Sequence, residues 1–169
     1  MAGASTPAIR ALTQAGVAHR VHSYPHDPRS DSYGAEAVAA LATQLQVTDR
    51  QIFKTLVIEL TGGPIRTARL AVAVVPVPCS LSLKAVATAL GAAKAAMADR
   101  AAAERTTGYV LGGISPLGQK RALPTVVDRS ALDWDRVLCS AGRRGLEIEL
   151  APADLVRLAA AVTAPIATN

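Results

Sequence analysis

The chain has 169 residues, of which 50% are hydrophobic and 3% aromatic, and it carries a formal net charge of +5. This length predicts one domain over residues 1–169 that can bury its own core, while short, interrupted apolar runs argue against a membrane span or signal peptide and favour a cytoplasmic protein. The basic balance favours a polyanionic partner, and the scarcity of aromatic residues argues against a sheet that stacks successive bases.

The first part of the chain predicts helix, strand, loop and helix. Thr6 is a suitable N-cap for a helix with Pro7 at its first position and Gly16 at its end. The stretch "VAHRVHSY" (17–24) predicts a strand, and "PHDPRSDSYG" (25–34) predicts an irregular loop. A second helix follows, with one apolar face formed by Val38, Leu41, Ala42 and Leu45.

The middle of the chain predicts two strands and a third helix. Thr48 and Gln51 have the spacing of a capping box, which predicts a short helical turn before the strand "FKTLVIEL" (53–60). The apolar run "RLAVAVVPVP" (69–78) is typical of a strand buried on both faces. The stretch "SLSLKAVATALG" (80–91) predicts a helix that ends at its glycine.

The remaining elements complete an α+β pattern. In the Ala-rich stretch 92–108, a short strand through Met97 is expected to precede a helix capped by Asp99. Three strands are predicted in "LPTVVD", "DRVLCS" and "LEIEL", followed by a helix with Pro152 in its first turn. Because strands outnumber those of a simple βαβ pattern, we expect a single domain with a curved, barrel-like mixed sheet surrounded by helices.

The segment "TTGYVLGGISPLGQK" (106–120) is unusually rich in glycine. We expect a strand at 109–111 and then an exposed loop at Gly112 and Gly113, where glycine lets another molecule approach the main chain. A hairpin or bulge without a ligand is the alternative interpretation.

Lys54 is the lysine with the most unusual predicted setting. Strand alternation places it on the same face as Leu56, Ile58 and Leu60. Because burying an unpaired ammonium group is costly, this side chain must extend to solvent, pair with an acid or face a cavity.

Two other sets of residues suggest weaker hypotheses. His19, His22 and His26 could ligate a metal on a helix, but they lie in a predicted strand and turn, so no metal or cofactor is expected. Ser115 with Lys54 or Lys120 as base would form a nucleophile pair, although no nucleophile-elbow signature surrounds it.

The turn "SAGRRG" (140–145) presents two arginines, Arg143 and Arg144. It could be an ordinary hairpin with solvated charges or a site that holds phosphate through its guanidinium groups. The two cysteines, Cys79 and Cys139, are isolated among apolar residues and are interpreted as buried small side chains.

Together, "TPAIRAL", "QIFKTLV", "MAD", "TGYVLGGISPLGQK", "LPTVVD", "SAGRRGLEIEL" and "PADL" resemble the YbaK family of bacterial aminoacyl-tRNA deacylases. The likeness covers nearly the whole chain in the right order. It implies the fold of the prolyl-tRNA synthetase editing domain and hydrolysis of a mischarged aminoacyl-tRNA, with Cys-tRNA(Pro) as the characteristic substrate. It also implies action in trans beside prolyl-tRNA synthetase, as a transient partner.

The resemblance implies site residues at the matching positions. Lys54 and Gly113 are the implied catalytic residues, with Lys54 supplying positive charge and the glycine loop offering N–H groups to the carbonyl oxygen. Arg143 and Arg144 are expected to meet tRNA phosphates. The implied substrate-binding residues are Tyr24, Thr55, Gly112, Ile114, Ser115 and Ser140.

Two questions of mechanism and specificity stay open at this point. Since no protein nucleophile is evident, either the substrate's own thiol or a positioned water attacks the ester. The alternative functions are a deacylase for alanine or serine on tRNA and a non-catalytic module that binds tRNA or a synthetase.

Overall fold

A computed structural model describes residues 5–169 of this chain as five α-helices, ten strands and two short 3-10 helices at Asp49–Gln51 and Arg129–Asp133. The helices are α1 (Pro7–Gln14), α2 (Tyr33–Leu45), α3 (Leu83–Ala89), α4 (Arg100–Thr107) and α5 (Pro152–Leu158). The strands are β1 (His19–Ser23), β2 (Phe53–Gly62), β3 (Ile65–Pro76), β4 (Ser80–Leu81), β5 (Lys94–Met97), β6 (Thr125–Asp128), β7 (Val137–Arg143), β8 (Leu146–Leu150), β9 (Val162–Ala164) and β10 (Ala167–Thr168).

The strands form three sheets. A five-stranded sheet has the order β5-β2-β3-β6-β9, in which β6 pairs in parallel with both β3 and β9. An antiparallel three-stranded sheet has the order β1-β8-β7, and β10 pairs with β4. The mixed α+β class is therefore confirmed, but the expected barrel-like sheet does not close. Across residues 5–169, a single parallel bridge between Ile52 and Leu138 joins the two larger sheets.

Several helix ends follow from local sequence signals. The hydroxyl of Thr6 accepts the N–H of Ile9 and caps α1, whose Leu12 is fully buried. Thr48 and Gln51 form the expected capping box before β2. Asp99 caps α4 through the N–H of Ala102, so the division of the Ala-rich stretch into strand and helix is confirmed.

The two faces of β2 pack into different parts of the core. Ile58 and Leu60, from the face that Lys54 shares, pack with α3 and β3. Phe53 and Val57, from the opposite face, pack with α1 and the β1-β8-β7 sheet. Burial on both faces explains the long apolar run of the neighbouring β3. The first residues of β2 lie at the junction between the two larger sheets, directly after the bridge between Ile52 and Leu138.

One predicted element is wrong. Residues 109–111 form no strand; α4 ends at Gly108, whose positive φ turns the chain into an irregular loop. The ring of Tyr109 is buried, and its hydroxyl donates to the carbonyl of Leu117. Residues 109–111 are therefore held by the packing and hydrogen bond of Tyr109, and not by hydrogen bonds to a neighbouring strand.

Both cysteines are free and buried, as expected. Within residues 5–169, none of the helices has the length and apolar character needed to cross a bilayer.

Candidate active site

A cavity of about 370 Å³ opens at the junction of the two larger sheets, a size in the range of small-molecule sites. The start of β2, the N-terminal end of α2, the glycine loop and the middle of β7 and β8 surround it. Its lining consists of Tyr24, residues 31–35, Ala37, residues 52–56, Val77, Leu111, Gly112, Ile114, Ser140 and Glu147. The structure therefore brings together six of the residues implied by the sequence: Tyr24, Lys54, Thr55, Gly112, Ile114 and Ser140.

Lys54 supplies the cavity's one cationic side chain. It lies second in β2, opposite Val75, and is half-buried. No carboxylate within residues 5–169 lies within ion-pair distance of its Nζ atom. Of the three possibilities that the sequence left open for this lysine, the structure therefore places it in a cavity, where its charge is available to an anionic ligand.

The glycine loop is held in place by two charged side chains. The N–H of Leu111 donates to Glu104 Oε2 at 2.7 Å, and the carbonyl of Leu111 accepts from Arg144 Nε at 2.7 Å. The hydrogen bond from Leu111, assisted by the nearby Arg100, lowers the pKa of Glu104 below its ordinary value. Both sides of this residue are thus fixed immediately before the glycine pair.

Positions 112 and 113 of this loop require glycine for different structural reasons. Gly112 has a φ of +86°, and a Cβ there would lie 2.5 Å from Cγ of Tyr33, so the aromatic ring packs directly on the main chain. Gly113 does not line the cavity; a Cβ there would lie 2.9 Å from Cα of Arg143 and from N of Arg144. The glycine at 113 therefore allows close packing of the loop against the 143–144 turn, so the molecule that approaches its main chain is this chain's own turn.

Backbone N–H groups are available at the cavity. The N–H of Gly113 donates to the carbonyl of Val110 in a turn at 2.9 Å, which removes it as a donor to a ligand. In contrast, the N–H groups of Gly112 and Ile114 have no acceptor within residues 5–169. The donors that the loop can offer to a carbonyl oxygen are therefore those of Gly112 and Ile114, both in the lining.

Tyr24 and Ser140 place two hydroxyl groups in the lining. Burial, followed by the charge of Glu147, raises the pKa of Tyr24, so its hydroxyl stays protonated and can donate a hydrogen bond. Ser140 Oγ accepts the N–H of Gly142 at 3.1 Å beside a β-bulge in β7. Beyond the bulge Arg143 pairs with Leu146, and the backbone of Arg143 and Arg144 packs against Gly113 of the glycine loop.

Glu147 is a cavity residue that the sequence interpretation missed. It lies on β8, directly opposite Ser140 of β7 and His22 of β1, and is only 6% exposed. Burial raises its pKa to about 8. The alternation of "LEIEL" separates the two glutamates from the leucines and isoleucine, but only the pairing with β7 shows that this second face is covered.

The remaining predicted residues lie outside the cavity lining. Ser115 is fully buried, its Oγ accepts the N–H of Leu117, and it is not part of the lining that contains Lys54. Arg143 is exposed on the turn. Arg144 binds the carbonyl of Leu111 and lies over the ring of Tyr33 at 4.7 Å, so it contacts the loop and ring that line the cavity.

The three histidines are separated rather than clustered. His22 Nε2 lies 2.7 Å from Glu149 Oε1, and His26 Nδ1 lies 2.6 Å from Glu36 Oε1. His19 Nδ1 contacts the carbonyl of Val17. Among residues 5–169, no group of three or more His, Cys, Asp or Glu side chains is arranged to hold a metal ion.

Comparisons with known proteins agree with this architecture. Residues 33–158 match the family profile of the aminoacyl-tRNA editing domain. The chain is 36% identical, over 97% of its length and 94% of the relative's, to the protein of Enterococcus faecalis named for Cys-tRNA(Pro)/Cys-tRNA(Cys) deacylase activity, EbsC.

Two solved structures share the fold. A structure described as a trans-editing enzyme for prolyl tRNA synthetase matches with a TM-score of 0.78 and 23% identity, covering 99% of this chain and 100% of the other. The hypothetical protein APE2540 matches with a TM-score of 0.79 and 24% identity, covering 96% and 100%. Together with the family profile, these likenesses confirm the resemblance seen in the sequence: the chain belongs to the aminoacyl-tRNA editing domain family.

Proposed function

We propose that this protein is a trans-editing hydrolase that deacylates mischarged Cys-tRNA(Pro), with residues 1–169 acting as one editing domain. The observation that carries this proposal is a cavity whose lining contains both an unpaired Lys54 and two residues of the glycine loop, Gly112 and Ile114, whose N–H groups have no acceptor within residues 5–169. Family membership and the name of the 36% identical relative supply the reaction class and the substrate.

Lys54 and the loop have separate parts in this reaction. Hydrolysis of an ester develops negative charge on its carbonyl oxygen, which N–H donors stabilise. We assign this role to the N–H groups of Gly112 and Ile114, in place of Gly113, whose N–H bonds Val110. Lys54 provides positive charge at the ester or at the terminal phosphate of the tRNA.

The attacking group is assigned to the substrate. The thiol of Cys139 is fully buried, and burial together with the nearby Glu147 raises its pKa, so it is an inert core residue. Cys79 is also buried, and Ser115 lies outside the lining. The thiol of the cysteinyl group, held beside its own ester, attacks the carbonyl carbon, and proximity favours this step because a bimolecular attack becomes intramolecular. The C–O bond to the tRNA breaks, the terminal ribose hydroxyl leaves with the thiol proton, and water then hydrolyses the cyclic thioester to free cysteine.

The biological setting follows from this substrate. A cytoplasmic deacylase that acts in trans must meet mischarged tRNA(Pro) before it enters translation. A transient association with prolyl-tRNA synthetase would bring the two enzymes together at that stage. Exposed arginines such as Arg143 would then contact phosphates of the tRNA.

The test is single-turnover deacylation of cysteine, serine and alanine esters on one tRNA(Pro), with binding measured separately. Cys-tRNA(Pro) should react much faster than Ser-tRNA(Pro), because serine is similar in size but a far poorer nucleophile at neutral pH. Equal rates for all three would rule out thiol assistance and favour a positioned water. Binding without turnover of any ester would indicate a non-catalytic module.

A further inference from the structure

The cavity contains a buried acidic group without a partner. Glu147 lies in its lining, and its carboxyl group makes no hydrogen bond or ion pair with any group of residues 5–169. Its neighbour on the same face of β8, Glu149, is bound by both His22 and Arg136. Of these two glutamates on β8, only the one that lines the cavity lacks a hydrogen-bond or ion-pair partner among residues 5–169.

A second polar group in the same lining is also unsatisfied. Thr55 Oγ1 is the buried side-chain polar atom that lacks a hydrogen-bond partner in the described part of the chain. Buried polar groups are nearly always hydrogen-bonded, and exceptions require a reason. This hydroxyl group and the unpartnered carboxyl group of Glu147, whose residue is 6% exposed, lie in one lining and indicate that a polar ligand binds there.

Charge determines which ligand fits. Lys54 lies in the same cavity but is not within ion-pair distance of Glu147. Of the two carboxyl residues in the lining, Asp31 is exposed and Glu147 is buried, so Glu147 is the acidic group inside the cavity. An aminoacyl ester has matching features: a cationic ammonium group on one side of the α-carbon and an ester oxygen on the other. The ester oxygen would face the ammonium group of Lys54, and the substrate's ammonium group would face Glu147, whose ionised form it would stabilise.

We propose that Glu147 binds the free α-ammonium group of the aminoacyl ester, so that the protein selects esters of amino acids whose amino group is unmodified. This inference rests on the proposed function and adds a specificity-determining residue to it. Binding brings an ammonium donor to a carboxylate that otherwise has none, and hydrogen bonds between charged groups are the strong ones. Lys54 remains free for the ester or phosphate.

The experiment measures binding without requiring turnover. Two acceptor-stem analogues carry either a cysteinyl group or a 3-mercaptopropionyl group through a stable amide, so that they differ by the ammonium group alone. The intact wild-type protein should bind the cysteinyl analogue at least about tenfold more tightly. Glu147→Gln should reduce this preference to about threefold or less, through weaker binding of the cysteinyl analogue.

The control variant is Glu149→Gln, which changes the neighbouring glutamate outside the cavity and should keep the wild-type preference. Equal binding of the two analogues by the wild-type protein, or a full preference retained in a folded Glu147→Gln protein, overturns the inference. So does failure to bind either analogue. If the wild type deacylates Cys-tRNA(Pro) but shows no preference, the proposed function stands and only this inference fails.

Discussion

Two glutamates on β8, two residues apart and nearly equally buried, occupy opposite chemical environments. Glu149 is 7% exposed and bound by His22 and by Arg136, whose second guanidinium nitrogen also donates to the carbonyl of Leu45. Glu147 is 6% exposed and bound by neither.

The pKa values of the two glutamates shift in opposite directions. Burial would raise the pKa of Glu149, but its hydrogen bonds from Arg136 and His22 outweigh that effect and hold it below the ordinary value. Burial alone raises the pKa of Glu147 to about 8. The paired, low-pKa Glu149 therefore has the properties of a residue that stabilises the fold, and the unpaired, high-pKa Glu147 has those of a residue that binds a ligand.

The largest expected effect concerns the cavity. Lys54→Ala should lower the single-turnover rate on Cys-tRNA(Pro) about a hundredfold or more, because it removes the cavity's positive charge from the reacting ester. Its melting temperature should change little, since the side chain makes no ion pair within residues 5–169. Lys84→Ala, on the exposed face of α3, is the matched control. An active, folded Lys54→Ala protein would remove Lys54 from the mechanism.

The two glutamates should respond oppositely to removal of charge. Glu149→Gln should lower the free energy of unfolding by about 1–3 kcal/mol at pH 7, because it breaks the bonds with Arg136 and His22. Glu147→Gln should raise it at pH 8, because the unpaired carboxyl group no longer has to ionise when buried. Denaturant unfolding of both variants measures this. Equal losses in both would show that Glu147 is also a structural residue.

The pH dependence of unfolding distinguishes them further. The lowered pKa of Glu149 contributes stability above the ordinary carboxyl value, and this contribution is lost as the pH falls through the folded-state pKa. The raised pKa of Glu147 has the opposite effect. Its contribution to folding stability is fully present below a pH of about 4.5 and declines as the pH rises toward about 8. The decline costs about 1.4 kcal/mol per pH unit, and Glu147→Gln should abolish it.

The helix caps could be predicted from the sequence, whereas the environment of Glu147 could not, because one depends on local spacing and the other on strand pairing. Thr6, Thr48 and Asp99 act within three residues of themselves, so their caps follow from local spacing. The role of Glu147 depends on its register against Ser140, a contact that single-strand periodicity does not contain. Lys54 was recognisable because an ammonium group on an apolar face has few acceptable surroundings.

A smaller effect should come from the clamp on the glycine loop. Arg144→Ala removes the donor to the carbonyl of Leu111 and the cation over the ring of Tyr33, so the free N–H groups of the loop lose their fixed position. We expect kcat to fall about three- to tenfold with KM changing less. Arg144→Lys should recover part of the loss. A change in KM alone would indicate that Arg144 contacts tRNA instead.

The smallest effect should belong to Arg143, whose exposed side chain has no hydrogen-bond or ion-pair partner within residues 5–169, although the residue lies next to Arg144. If it contacts a tRNA phosphate, Arg143→Ala should weaken tRNA binding a few-fold, equally across tRNA sequences, and reduce the slope of log K against log salt by about 1. The rate at saturating substrate should stay unchanged. Arg144→Ala supplies the comparison, because its main effect is expected in kcat. An unaltered salt slope in Arg143→Ala would show that the phosphate contacts lie elsewhere on the basic surface.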